Sequence, residues 1–94
     1  MPIAKWNSQI IAECDKFETV EGNVYFPRSA IKSEFFQENS HKTVCPWKGT
    51  ASYFDIVVNG KVNQNAAWYY PNPKDAASHI KDCVAFWKGV EVSK

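Results

Sequence analysis

Asn59-Gly60 sits between two runs rich in β-branched and aromatic residues, Thr50 to Val58 and Lys61 to Tyr70. Asn-Gly in that setting is the strongest short-range signal for a two-residue type I′ hairpin, because both residues accept positive φ at little cost. A two-stranded ribbon is not stable alone in water, so the remaining chain must cover it. The feature therefore commits the chain to sheet.

The other segments agree. Met1 to Ser8 reads as a polar lead-in, followed by short strands at Ile10 to Cys14 and Phe17 to Val20. Glu21-Gly22-Asn23 is a turn signal, and Val24-Tyr25-Phe26 is a strand that stops at Pro27, which has no N–H for a ladder. Ser29 is placed to cap one helical turn, Phe35-Phe36 is a short strand, and Gln37 to Lys42 reads as a polar loop. After the ribbon, Pro71 and Pro73 end the sheet, and Lys74 to Ile80 suits a short helix with Asn72 as cap. Cys83 to Phe86 is a further strand, which Val90 and Val92 continue past Gly89. The expectation is a mainly β fold of about seven short strands with one or two short helices, since the strand–helix alternation of βαβ units is missing.

The 94 residues suit one domain over 1–94, able to build a modest core without metal or disulfides. Eleven basic and ten acidic residues leave a net charge of +1, which argues against nucleic-acid binding through charge. No apolar run approaches the ~18 residues of a membrane span. Residues 1–12 lack the pattern of a signal peptide. Three cysteines, Cys14, Cys45 and Cys83, are an odd number without an export signal and read as reduced thiols of a cytoplasmic protein.

Counting back from the turn pairs Val58 with Lys61, Tyr53 with Ala66 and Ala51 with Trp68, and the last four of these residues share one face. Two rings set beside two alanines leave an aromatic-lined hollow. Cys45-Pro46-Trp47-Lys48-Gly49 feeds into that end of the ribbon. The same register puts Phe54 and Ile56 opposite Asn65 and Asn63, which is poor cross-strand chemistry. A bulge or a longer turn near Asn63–Asn65 would relieve it and shift Trp68.

Cys45 is a candidate nucleophile, with Lys42, Lys48 and His41 close in sequence to favour a thiolate. The bland alternative is a small packed side chain. His41-x-x-x-Cys45 and His79-x-x-x-Cys83 offer four zinc-type ligands, but the usual paired Cys-x-x-Cys knuckles are missing, and neither metal nor cofactor is expected. Arg28 and Lys48 are the candidates for meeting an anion. Glu34, Asp55 and Asp75 read as solvated surface.

Val24-Tyr25-Phe26-Pro27-Arg28, Thr43-x-Cys45-Pro46-Trp47-Lys48-Gly49-x-Ala51-x-Tyr53, Asn65-Ala66-Ala67-Trp68-x-Tyr70-Pro71-x-Pro73 and Val84-Ala85-Phe86 resemble the DUF427 family in order and spacing, over nearly the whole chain. The resemblance is to its short bacterial members. It implies a β-tent fold similar to the Mss4-like and methionine sulfoxide reductase B group, some of whose members bind small ligands in an aromatic cage. The family has no established activity. Its occasional nucleotidyltransferase label finds no Gly-Ser motif with paired aspartates in this sequence.

Together these readings favour a small-ligand-binding domain. Trp47, Tyr53 and Trp68 would line the pocket, Lys48 and Arg28 would supply positive charge, and Cys45 would stand at the edge. The ligand would be planar or mildly anionic. The alternatives are a thiol-dependent enzyme acting through Cys45 and a structural or interaction module whose aromatic residues only fill the core. An exposed edge strand would allow a homodimer.

Overall fold

The computed structural model describes residues 1–93. Its strands are β1 (Ile3–Trp6), β2 (Gln9–Glu13), β3 (Glu18–Val20), β4 (Asn23–Tyr25), β5 (Phe36–Cys45), β6 (Gly49–Val58), β7 (Lys61–Tyr69), β8 (Ala85–Phe86) and β9 (Glu91–Ser93). They form a four-stranded sheet in the order β5-β6-β7-β8, a three-stranded sheet in the order β2-β1-β9, and the β3-β4 hairpin. Asn59 and Gly60 both have positive φ, and Val58 faces Lys61, as the type I′ turn requires.

Several local expectations are corrected. Residues 3–6 are not a lead-in but the central strand of the second sheet, paired with β2 and β9. Gln37 to Lys42 is not a loop but the middle of β5. That strand is polar because it is a sheet edge largely exposed to water, so burial selects few of its residues. Val92 does not prolong the strand at Phe86; the chain turns at Lys88-Gly89 and joins β1 instead. The three helical segments, Arg28–Ala30, Ser33–Phe35 and Asp75–Ile80, are 3₁₀ turns, and neither Ser29 nor Asn72 caps one.

The sheet β5–β8 is apolar on both faces. Phe54, Ile56 and Val58 of β6 join Ala4, Ile11, Phe26, Val84 and Phe86 in one buried cluster. Ala51 and Tyr53 join Val20, Tyr25, Tyr70, Ile80 and Ala85 in the other. The alternation along β6 follows from the period of two, and each fully buried Ile or Phe contributes about 2 kcal/mol. β4 alternates too, sending Val24 into the first cluster and Tyr25 into the second. Pairing of Phe26 with Val84 fastens this hairpin beside β8.

Two bulges break the sheet at one level. On β5, Asn39, Ser40 and His41 occupy the interval opposite Tyr53; on β7, Gln64, Asn65 and Ala66 occupy the interval opposite Asp55. The β7 bulge removes the poor Phe54–Asn65 pair and sets Phe54 opposite Ala67. It displaces the register by two residues, and an even displacement keeps the side-chain face unchanged. Trp68 therefore stays on the expected face but stands opposite Tyr53 rather than Ala51. Ala66, inside the bulge, turns into the first cluster, so it does not border the hollow.

Candidate functional site

The hollow between β6 and β7 is a cleft of about 220 Å³, open to solvent and lined by Lys48, Tyr53, Trp68, Tyr70 and Trp87. Each wall residue has a structural reason to be there. Tyr53 and Trp68 are cross-strand partners on the face opposite the first cluster. Tyr70 follows Trp68 by two residues and shares its face. Trp87 leaves β8 edge-on to Trp68, with ring centroids 6.0 Å apart, and its indole N–H donates to the Asn65 carbonyl.

The rings are held by polar contacts. Trp68 Nε1 donates to the Tyr25 hydroxyl at 3.1 Å, and the two rings meet edge to face. The Tyr53 hydroxyl lies 2.9 Å from Thr43 Oγ1, and the His41 ring packs against the Tyr53 ring at 4.7 Å. These bonds fix the orientation of rings that would otherwise repack.

Among the described residues Lys48 is the one cation in the cleft wall, and it is only 6 % exposed. Its loop is drawn inward by the segment after Pro71: the Lys74 N–H donates to the Lys48 carbonyl at 2.9 Å, and Lys74 Nζ reaches the Pro46 carbonyl at 2.7 Å. Gly49, at φ +112°, lets the backbones approach, since a Cβ there would meet the Asn72 carbonyl at 3.4 Å. The ammonium pairs with Glu21 and lies 5.4 and 5.6 Å from the ring centres of Trp47 and Tyr70.

Burial disfavours charge on Lys48, but the Glu21 hydrogen bond and the attraction of Tyr25, Tyr70 and Glu21 outweigh it, and the pKa is raised. Glu21 moves down, chiefly through the same hydrogen bond. Burial pushes the Tyr25 and Tyr70 phenols up, against the opposing pull of Lys48. Glu21 is held at φ +54°, a left-handed conformation that costs a non-glycine residue about 1–2 kcal/mol. The turn signal at 21–23 thus places its positive φ values on Glu21 and Gly22, not on Asn23.

The other sequence candidates fall around this cleft unevenly. Trp47 is 40 % exposed and shields Lys48 from outside without lining the cleft. Cys45 is half-buried at the end of β5 and packs beside the second cluster, which holds Tyr25 and Tyr70. Arg28 belongs elsewhere. Its guanidinium lies over Tyr69 at 4.4 Å and Phe54 at 5.3 Å, on the opposite face, and contacts Asp82. Among the described residues no three His, Cys, Asp or Glu side chains come together to hold a metal, so the two His-x-x-x-Cys segments do not converge.

Sequence reasoning missed Tyr25, Tyr70, Trp87 and Glu21. Tyr70 was reachable through the period of two from Trp68. The other three arrive from turns and short strands whose docking no local pattern encodes.

Fold and site define a mainly β domain with an open aromatic cleft and one enclosed lysine at its wall. The chain belongs to the DUF427 family, a domain of unknown function whose model matches residues 4–93. A search of curated proteins finds no relative that matches it. No helix among the described residues is long and apolar enough to cross a membrane.

Proposed function

We propose that this domain binds a small planar ligand in the cleft between β6 and β7. One observation carries the reading: four aromatic residues, Tyr53, Trp68, Tyr70 and Trp87, surround a solvent-open space whose wall holds a single enclosed ammonium. Rings offer stacking or edge contacts to a flat ligand. Lys48 offers a charge-assisted hydrogen bond to a carbonyl, carboxylate or phosphate edge. Glu21 already neutralises Lys48, so the site suits a polar or mildly anionic edge without demanding full charge. Three free thiols are compatible with action in a reducing cytoplasm. A thermal-shift screen of flat metabolites tests the reading, with Trp68→Ala as control. Ligand-dependent shifts that disappear in a still-folded variant support it; a screen without hits overturns it.

A thiol-dependent reaction is the second reading, favoured by the position of Cys45 beside Tyr25, Tyr70 and the Lys48 loop. Labelling rate against pH separates it from the first. A Cys45 midpoint at the free-thiol value of about 8.5 removes the enzymatic reading.

A further inference from the structure

Asp55 is two residues beyond Tyr53 on β6 and so projects from the same face, one step farther along the sheet. Above it the two bulges open a second hollow, of about 440 Å³, with Asn39, His41, Gln64 and Asn65 in its polar wall. The hollows adjoin at two places. His41 of the polar hollow packs on Tyr53 of the aromatic cleft, and Asn65 of the polar hollow takes the indole N–H of Trp87. They are separate hollows that share a boundary, one aromatic and one polar, and a ligand crossing that boundary would meet them as the two ends of a trough.

The polar end is built around a single carboxylate oxygen. Asp55 Oδ1 accepts from Asn39 Nδ2 at 2.7 Å and from the Asn65 N–H at 3.0 Å, and Asn39 Nδ2 also reaches Asn65 Oδ1 at 2.8 Å. Asn39 Oδ1 accepts the His41 N–H. Each bulge is thereby tied to Asp55. Both bonds to the carboxylate fall on Oδ1, and Oδ2 has no intramolecular hydrogen bond among the described residues. A bulge commonly re-aims side chains, and here two of them surround one half-used carboxylate.

We infer that the trough binds a flat ring carrying a sugar with a vicinal diol, the ring in the aromatic cleft and the diol on Asp55 Oδ2. This rests on the cleft reading above and extends it. The aromatic cleft alone, at about 220 Å³, falls below the roughly 300–1,000 Å³ usual for small-molecule pockets, and a ligand that continues into the polar hollow brings the site into that range. A carboxylate oxygen accepts from hydroxyls, and the neighbouring amides of Gln64 and Asn65 can both donate and accept, as a hydroxyl partner requires. Nucleosides and aryl glycosides share this chemistry.

Calorimetry on the full chain tests the inference with matched probes: adenosine against adenine, adenosine against 2′,3′-dideoxyadenosine, and phenyl glucoside against phenol. The diol is expected to strengthen binding about tenfold or more, as charge-assisted hydrogen bonds to a carboxylate do. The stronger of adenosine and phenyl glucoside identifies the ligand type. Asp55→Asn, which replaces the charged acceptor by an amide, should shrink the advantage of the glycoside over its free ring. If that variant unfolds through loss of the bulge ties, the dideoxy comparison on the unaltered chain decides. Adenine or phenol binding as tightly as its glycoside overturns the sugar site and leaves the cleft reading standing. No binding by any probe overturns the inference, while a hit among flat compounds without sugars would still preserve the cleft.

Discussion

Lys48 and Glu21 meet across the boundary between the β5–β6 loop and the β3–β4 turn, joining an enclosed ammonium to a carboxylate that water reaches. The pair ties the hairpin that carries Tyr25 to the strand pair that carries Tyr53. Its loss would leave a cation enclosed without a counter-charge, a far worse state than the pair itself.

Glu21→Gln is therefore expected to lower Tm at neutral pH and to change its pH profile. Glu21 has a lowered folded pKa, so its contribution is present above the unfolded carboxylate value and is lost as pH falls through the folded one. Lys48 has a raised folded pKa, so its contribution is complete below the unfolded lysine value and is lost as pH rises through the folded one. Tm measured from acid to alkali should lose part of its acid slope in the variant. An unchanged profile would show that the pair does not couple folding to protonation.

Lys48→Met should raise the Tyr25 and Tyr70 phenols further, because the ammonium lowers both against the dominant effect of burial. Ultraviolet titration of phenolate absorbance reads this directly. The alkaline shift should be confined to those two tyrosines and missing from Tyr69, which lies with Arg28 and Glu38 on the other face.

Trp68→Phe keeps most of the ring but removes the donor to the Tyr25 hydroxyl. It should cost about 1 kcal/mol in chemical denaturation, the net worth of one hydrogen bond. Trp68→Ala should cost more, about 2–3 kcal/mol, below the usual range for a buried tryptophan because this ring is only half-buried. Equal losses in the two variants would mean that packing at this position contributes nothing.

Gly60→Ala and Gly49→Ala compare two positive-φ glycines, one in open space and one packed against the segment after Pro71. At Gly60 the added methyl meets open space, so the cost is that of the left-handed conformation, about 1–2 kcal/mol or roughly 4–16 °C in Tm. At Gly49 the methyl would come into close contact with the Asn72 carbonyl at 3.4 Å, and φ +112° lies outside the left-handed well that non-glycine residues use, so the fall should be larger and accompanied by displacement of Lys48. Weakened ligand binding in Gly49→Ala but not in Gly60→Ala is the expected pattern.

The centre of the molecule was readable because its signals are local. Asn59-Gly60 specified the turn, and β-branched and aromatic residues specified β6 and β7. Two features were hidden for different reasons. β5 looked like a loop because an edge strand needs no apolar alternation, and β1 looked like a tail because its partners lie at both ends of the sequence. The hollow itself was half-legible. Tyr53 and Trp68 share a face as counted, but their pairing depends on a bulge stabilised by Asp55, whose sequence neighbours do not announce it. Arg28 misled because it follows Pro27 in a 3₁₀ turn beyond the end of β4, where strand alternation no longer says which side a residue takes.

The kink at Asn39–His41 bears on how copies of this chain behave together. It divides the outer amides of the longest uncovered strand into two short rows set at different angles. A foreign strand could zip along only one row before falling out of step. The distortion that shapes the polar trough would thus also blunt fibril growth, and straightening β5 by deleting two of its three extra-loop residues, leaving one opposite Tyr53, should trade recognition for clumping.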